Sequence, residues 1–362
     1  MGPDLAAIAG ETAAEAEDER RVAPEFIASL RRSRVGVAAA PRSVGGGGWA
    51  PPDLLELVRE VARADGSAGW VTMIYVTSAA AAHWVPKEGL TDLFQNGSST
   101  LLAGVVAPRG QAVATSTGFQ LSGRWAFGSG AADADWVGLG ATIDNDPSRT
   151  GIFYVGREQV EILDTWDVVG LRASASHDLT VEAELVPKRL VSYLDGPPQT
   201  NEAVARFPVF GLLAAGIGAV AIGIAEAAVA EGIEVGGGKV PTGSRRRLAD
   251  RPAFQEAVAR ARAGLEASWH YLVGVALEAQ TPATLAEKVR LRLAATAAVE
   301  ASRQAVDNIY TLAGGTSLYA RSPLQRYLRD VHTATQHMMI AQPTWELAGR
   351  VLLGVDTDPA GL

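Results

Sequence analysis

One stretch near the C-terminus carries residue types able to do acid–base chemistry: Arg326-Tyr327-Leu328-Arg329-Asp330-Val331-His332-Thr333-Ala334-Thr335-Gln336-His337. On a helix Arg326, Asp330, Thr333 and His337 share one face, at steps of four, three and four. Ser322 and Pro323 suit the cap and first turn of such a helix. A histidine in a polar stripe supplies a near-neutral acid or base to a lined cleft; the same stripe also fits an ion-paired helix interface. His332 points away, and its spacing of five from His337 is not that of a metal-binding pair on a helix.

A second segment, Gly123-Arg124-Trp125-Ala126-Phe127-Gly128-Ser129-Gly130, sets a hydroxyl between two glycines beside two aromatic rings. It reads either as the floor for a flat ligand or as core residues of a strand. Ser176-His177-Asp178 has the residue types of a hydrolytic triad, but alternation along a strand turns His177 away from its neighbours. Gly236-Gly237-Gly238-Lys239-Val240 lacks the spacing and the Ser/Thr of a phosphate loop. The Gly45–Gly48 run has no strand–helix context, and no βαβ alternation suggests a doubly wound dinucleotide fold.

Composition narrows the chemistry further. The 362 residues include 32 Lys+Arg and 40 Asp+Glu, a net charge of −8, with 48% hydrophobic residues. Neither that balance nor the distribution of basic residues suits nucleic acid. With no cysteine and five histidines, disulfides, thiolate metal sites and a catalytic thiol are excluded, and no metal site is expected. The first residues lack the basic start and apolar run of a signal peptide. Phe207–Ala225 is uncharged and long enough to span a membrane, but its Ala, Gly and Pro208 point to a tightly packed core helix. A cytoplasmic protein with no membrane partner is expected.

Three blocks must position these residues. Residues 4–95 read as helices, with Pro24 dividing the first stretch, a helix over Leu54–Ala64, and a restart at Asp65-Gly66-Ser67. Short β-type runs separated by turn residues fill 100–190: Leu101–Ala107, Gly118–Phe127, Trp136–Ile143, Ile152–Val155 and Leu179–Val186. They suggest a small antiparallel sheet or barrel. Helices return over Phe210–Glu234, Ala253–Gln280, Thr284–Ala313 and Leu324–Leu353. The expected domains are residues 1–98 (helical), 99–192 (β) and 193–362 (helical bundle), an α+β fold that is mostly α.

This order resembles the acyl-CoA dehydrogenase fold from about Ala28 to Leu353. Ala64-Asp65-Gly66-Ser67-Ala68-Gly69-Trp70 is similar to that family's turn in the N-terminal domain. Leu121–Gly130 resembles its flavin-ring segment, Trp166–Asp178 its following strand pair, and Gly314-Gly315 with Arg329-Asp330 the approach to its last helix. The resemblance implies an N-terminal helical domain, a middle antiparallel β domain and a C-terminal four-helix bundle. It also implies a bound flavin, FAD or FMN, and a homotetramer.

Two chemistries run on this fold. Its dehydrogenases need a carboxylate base, but the two places the family uses are held here by Arg321 and, in the uncharged helix, by the neighbourhood of Leu213; a guanidinium cannot act as a base. The other branch resembles the two-component flavin-dependent monooxygenases, fed reduced flavin by a separate reductase. That resemblance implies His337 and Ser129 as catalytic residues, with His337 hydrogen-bonding or taking a proton at the flavin and Ser129 donating to it. Trp125, Phe127, Ser129 and Ser176 would contact the ring. Arg246, Gly314 and Gly315 would hold the nucleotide or phosphate part from a neighbouring subunit. Ser78, His83, Arg326, Asp330 and Thr333 would line the substrate pocket, with Ser78 standing where related hydroxylases carry a histidine. The expected function is hydroxylation or N-oxidation of a small aromatic or secondary-metabolite substrate. The alternatives are an acyl-thioester dehydrogenase with an unusual base and a fold member without redox activity.

Overall fold

A computed structural model describes residues 2–279 and 283–357. Helices α1 (Gly2–Glu19), α2 (Pro24–Ser33), α3 (Pro51–Ala64), α4 (Gly66–Ala81) and α5 (Lys87–Leu93) form the first layer. Pro24 and Pro51 open α2 and α3, where a missing N–H costs nothing. Asp65 breaks the chain between α3 and α4 and caps α4 by accepting the Ala68 N–H at 2.8 Å. Helix α3 is amphipathic. It buries Leu54, Leu57, Val58 and Val61 against the bundle, each contributing about 1.5–3 kcal/mol.

Seven strands follow: β1 (Leu102–Ala114), β2 (Gly118–Trp125), β3 (Trp136–Ile143), β4 (Asp146–Gly156), β5 (Glu161–Leu163), β6 (Asp178–Pro187) and β7 (Val191–Ser192). Their order is β5-β6-β2-β1-β3-β4-β7. The sheet is not wholly antiparallel as expected. Strand β2 returns beside β1, and the chain then crosses over so that β3 lies on the other side of β1, parallel to it. Asp144 and Asn145 both adopt positive φ, which makes the tight β3–β4 turn.

The last layer holds α6 (Val209–Gly238), α7 (Pro252–Glu278), α8 (Leu285–Ala313), α9 (Pro323–Ala334) and α10 (Pro343–Leu352). The expected end of α7, Gln280, lies outside the described residues. Helix α6 is the apolar stretch noted above. It is long and apolar enough to cross a membrane, but 89% of that window is buried within the fold, against α3, α4, α7, α8 and α9. Small residues allow this packing: a Cβ on Gly216 would fall 2.5 Å from Met73 Cγ, and one on Gly223 2.5 Å from Arg59 O.

The expected single helix over Leu324–Leu353 is two helices. The α9 ladder ends in tight bonds from Gln336 N to Thr333 O and from His337 N to Ala334 O, and Pro343 restarts the chain as α10. His337 therefore lies in the turn after α9, not on the helical face that carries Arg326, Asp330 and Thr333.

Candidate active site

Four elements bring hydroxyls and rings together: the first turns of α4, the loop after β2, the loop before β6 and the turn after α9. Trp70 Nε1 donates to Ser129 Oγ at 3.1 Å. Ser129 Oγ lies 2.6 Å from Ser176 Oγ, which lies 2.8 Å from Ser174 Oγ, and Ser174 donates to Leu171 O at 2.7 Å. All three serines are buried. A hydroxyl has one proton. Because Leu171 O can only accept, Ser174 donates there, Ser176 donates to Ser174, and Ser129 donates to Ser176. Ser129 thus accepts from Trp70, spends its proton on Ser176, and keeps one lone pair free. It offers an acceptor rather than the expected donor.

The backbone holds this row in place. Gly128 N donates to His177 O at 2.9 Å and Gly130 N to Ser174 O at 3.1 Å. Tyr75 Oη donates to Gly130 O at 2.9 Å. Gly130 takes φ +68°, and a Cβ on Gly128 would fall 2.5 Å from Leu179 Cγ, so both glycines are required. Leu171 and Ala175 also have positive φ, a strained conformation for residues with a Cβ. What holds that strain is Asp330, whose Oδ1 accepts the Leu171 N–H at 2.6 Å.

His337 meets the same Trp70 ring edge-on, with centroids 5.7 Å apart. Its Nδ1 accepts the Met339 N–H at 3.2 Å, which leaves the proton on Nε2 and makes that atom a donor. Desolvation, reinforced by the nearby Arg292 guanidinium, lowers its pKa to about 4. At neutral pH the ring is an uncharged hydrogen-bond donor. Phe127, 69% exposed and held at φ +68°, stands edge-on to Trp166 at 6.1 Å on the open side of the Ser129 loop.

Other expected site residues lie elsewhere. Trp125 is fully buried inside the sheet and donates to Gly140 O at 2.7 Å, so it does not face a cleft. His83 is a core histidine, with Nε2 3.0 Å from Ala39 O and Nδ1 bonded to Thr200 Oγ1. Thr333 Oγ1 bonds back to Arg329 O at 2.8 Å, and the backbone of Gly170 packs against this turn of α9. Arg326, Asp330 and Asp65 form a buried charged joint between α9 and the start of α4. Burial and the mutual repulsion of the two carboxylates push Asp330 up to about 7, and burial raises Asp65. These residues form the joint rather than lining a pocket. As expected, Ser176, His177 and Asp178 diverge: His177 Nδ1 accepts from Trp166 N and Asp178 pairs with Arg124 at 2.7 Å.

Lys239 ties the end of α8 to the loop that carries Arg246: its Nζ bonds Ala313 O beside Gly314, and its backbone O accepts from Leu248 N, while Arg246 itself is exposed. Trp70 lies between Met73 and Gly66, which pack on Gly216 and Ile224 of α6, whereas Lys239 follows the end of α6 at Gly238. At 1.5 Å per residue that separates the two groups by roughly 25–30 Å.

Ser78 is at an apolar cleft between α4, the sheet and α6, of about 60 Å³. Ile74, Thr77 and Ser78 continue along α4 from Trp70 on one helical stripe, so the cleft lies about one to two helical turns from the tryptophan that bonds the serine row. Leu213, one of the places for a dehydrogenase base, also lines it, and none of the lining residues is a carboxylate. Arg321, the other place, stacks on Tyr319. Among the described residues no group of three or more His, Cys, Asp or Glu is placed to hold a metal ion.

Trp70 and Ser174 did not stand out as functional residues in the sequence. The i, i+2 pair Ser174/Ser176 was the available signal.

Residues 215–342 match the family model described as acyl-CoA dehydrogenase, C-terminal domain. The chain is 32% identical over 361 residues to an indole-3-acetate monooxygenase of Acinetobacter baumannii, covering 97% of this chain and 92% of that protein. It is 28% identical to the FADH(2)-dependent resorcinol hydroxylase, oxygenase component, of a Rhizobium species, covering 94% and 89%. Its fold superposes with a TM-score of 0.90 on XiaF from a Streptomyces species in complex with FADH2 and glycerol, at 25% identity over 98% of this chain and 94% of that one.

Proposed function

This chain belongs to the flavin-dependent monooxygenases built on the acyl-CoA dehydrogenase fold, and from that premise we propose that it is the oxygenase component of a two-component system that hydroxylates or N-oxidises a small aromatic substrate. A flavin reductase supplies the reduced cofactor. The observation that carries the reading is the convergence of the Trp70–Ser129–Ser176–Ser174 row with neutral His337.

These groups fit a flavin. Ser129 has a free lone pair, His337 a fixed N–H donor, and Phe127 an exposed ring, all uncharged. A planar ring with N–H and carbonyl edges matches that mixture of acceptor, donor and aromatic face. Reduced flavin has an N–H where oxidised flavin has a bare nitrogen, so an acceptor at Ser129 favours the reduced form. When bound, the reduced flavin supplies two electrons to O2, one oxygen atom entering the substrate and the other leaving as water.

The chain's own residues do the rest. Trp70 and the serine row hold Ser129 in one orientation, so no reorientation is needed when the cofactor binds. His337 presents its Nε2 proton from a desolvated turn. The apolar cleft beside Ser78 excludes water from the reacting carbon or nitrogen.

Arg246, Gly314 and Gly315 are too far from their own chain's serine row to share its ligand, which supports their serving a neighbouring subunit. Exposed Leu318, Leu352 and Leu353 on the same C-terminal layer support a homo-oligomer, proposed as a tetramer. The burial of α6 within the fold supports a cytoplasmic enzyme.

Turnover under isotopically labelled O2, with an independent flavin reductase, tests the function. Label in the aromatic product is expected; an unlabelled product would overturn the reading.

A further inference from the structure

The turn that ends α1 touches two loops of the site and α9, whose following turn carries His337. Arg21 N donates to Ala16 O at 3.1 Å and Arg20 N to Glu17 O at 3.3 Å, the paired bonds that close a helix around a left-handed residue. That residue is Arg20, at φ +54°. Glycine takes this conformation freely, whereas a residue with a Cβ is strained there. The strained arginine reaches the loop before β6. It donates to Asp164 Oδ2 at 2.8 Å and to Trp166 O at 3.3 Å.

From Trp166 the connection runs on to Ser129. Trp166 Nε1 donates to Leu171 O at 3.1 Å, the same carbonyl that accepts Ser174 and ends the serine row. The Trp166 ring also stands against exposed Phe127. Arg21, next in the chain, grips the other loop. Its Nε donates to Asp133 Oδ2 at 3.1 Å, and its terminal nitrogen pairs with Asp133 Oδ1. Asp133 N in turn donates to Gly130 O at 3.2 Å, one residue beyond Ser129. Glu17 completes the set. It pairs with Arg329 of α9, which itself donates to Val169 O, while Glu17 O accepts Arg172 Nε at 3.4 Å.

We propose that Glu17, Arg20 and Arg21 are positioning residues, a clamp at the end of α1 that holds the Ser129 loop, the Trp166–Leu171 loop and α9 in fixed relation for the flavin. They act through Asp133, Trp166 and Arg329 rather than on the reacting atoms. The proposal rests on the flavin reading only for what these walls hold. The members are partly exposed ion pairs, each worth at most about a fivefold change in an equilibrium and screened by salt. Such pairs add little to overall stability but bias the conformation of the loops they join. That is the use of a strained arginine at a position where glycine would close α1 without strain.

Hydrogen exchange of the flavin-free protein, read by mass spectrometry, tests this together with anaerobic titration of reduced FMN and FAD. Arg20→Gly removes the contacts to Asp164 and Trp166 and the left-handed strain at once. It should therefore melt within about 2 °C of the wild type, so folding does not confound the comparison. Its residues 164–177 are expected to exchange about threefold faster or more, with α1 and the sheet protected as before. Reduced flavin should bind about three- to tenfold more weakly. Arg21→Gln should loosen residues 128–135 in the same way, and salt at about 1 M should reproduce both changes in the wild type. Loops that exchange as in the wild type, faster exchange spread evenly over the fold, or looser loops with undiminished flavin affinity would each overturn the proposal. A wild type that binds no flavin overturns the oxygenase reading, and loops that loosen as expected then still support the clamp.

Discussion

The indole of Trp70 joins the two halves of the site: its N–H reaches Ser129 Oγ at 3.1 Å while its ring edge meets His337 at 5.7 Å between centroids. One rigid side chain from α4 thus sets both the acceptor and the donor offered to a ligand.

Breaking that link is costly on both sides. Ser129→Ala leaves the buried Trp70 N–H without an acceptor and frees Ser176, a loss of about 1–3 kcal/mol. The variant should melt lower and bind reduced flavin about tenfold more weakly, with a smaller change for oxidised flavin. Anaerobic fluorescence titration with both forms checks this; equal losses for the two forms would contradict an acceptor role.

His337 should not titrate in the working range. Its folded pKa of about 4 lies below the unfolded value of about 6.5, so the folded state resists its protonation. The resulting stability is intact above pH 6.5 and is lost as pH falls from there towards 4, by up to about 3 kcal/mol. The pH–rate profile should show no histidine inflection between pH 5.5 and 7.5. His337→Ala should abolish turnover and weaken flavin binding by about the worth of one hydrogen bond, whereas a variant with most of its activity would refute the role.

Asp330 carries the opposite sign. Its folded pKa of about 7 exceeds the ordinary carboxyl value, so ionising it penalises the folded state. Stability should fall as pH rises from about 4 to 7, with a slope of up to about 1.4 kcal/mol per pH unit. Asp330→Asn keeps an acceptor for the Leu171 N–H and should flatten that slope. Asp330→Ala removes the acceptor and should release the strained Leu171–Ala175 turn, weakening flavin binding through Ser174 and Ser176. Thermal melting across pH distinguishes the two variants.

No carboxylate stands where a dehydrogenase needs its base, because Leu213 lines the cleft and Arg321 stacks on Tyr319. An acyl thioester added anaerobically to the flavin-loaded protein should leave the oxidised flavin spectrum unbleached. Bleaching would restore the dehydrogenase chemistry.

Much of this fold was legible because its signals are local. Pro24, Pro51 and the Asp65 cap mark helix starts, and the apolar, charge-free run of α6 marks the buried helix. The parallel β1–β3 pair was not legible, since pairing partners depend on the crossover rather than on either strand's pattern. His337 does not sit on the helical face its spacing suggested: that spacing is broken by the turn before Pro343, and the turn instead sets its ring against Trp70. Asp330 and Arg326 share a face as expected, but that face meets the start of α4 instead of a cleft. The serine row is invisible in sequence because its members come from separate loops closed by tertiary contacts. His83 and Trp125 show the converse, since polar or aromatic residues that look available for chemistry are satisfied in the core.

The most direct test mixes the protein, loaded anaerobically with reduced flavin, with oxygenated buffer in a stopped-flow spectrophotometer. A transient absorbance distinct from both reduced and oxidised flavin, decaying more slowly than free flavin reoxidises and lost in Ser129→Ala, is expected. Direct reoxidation at the rate of free flavin, with no transient even at low temperature, would contradict an oxygen-activating site at Ser129 and His337.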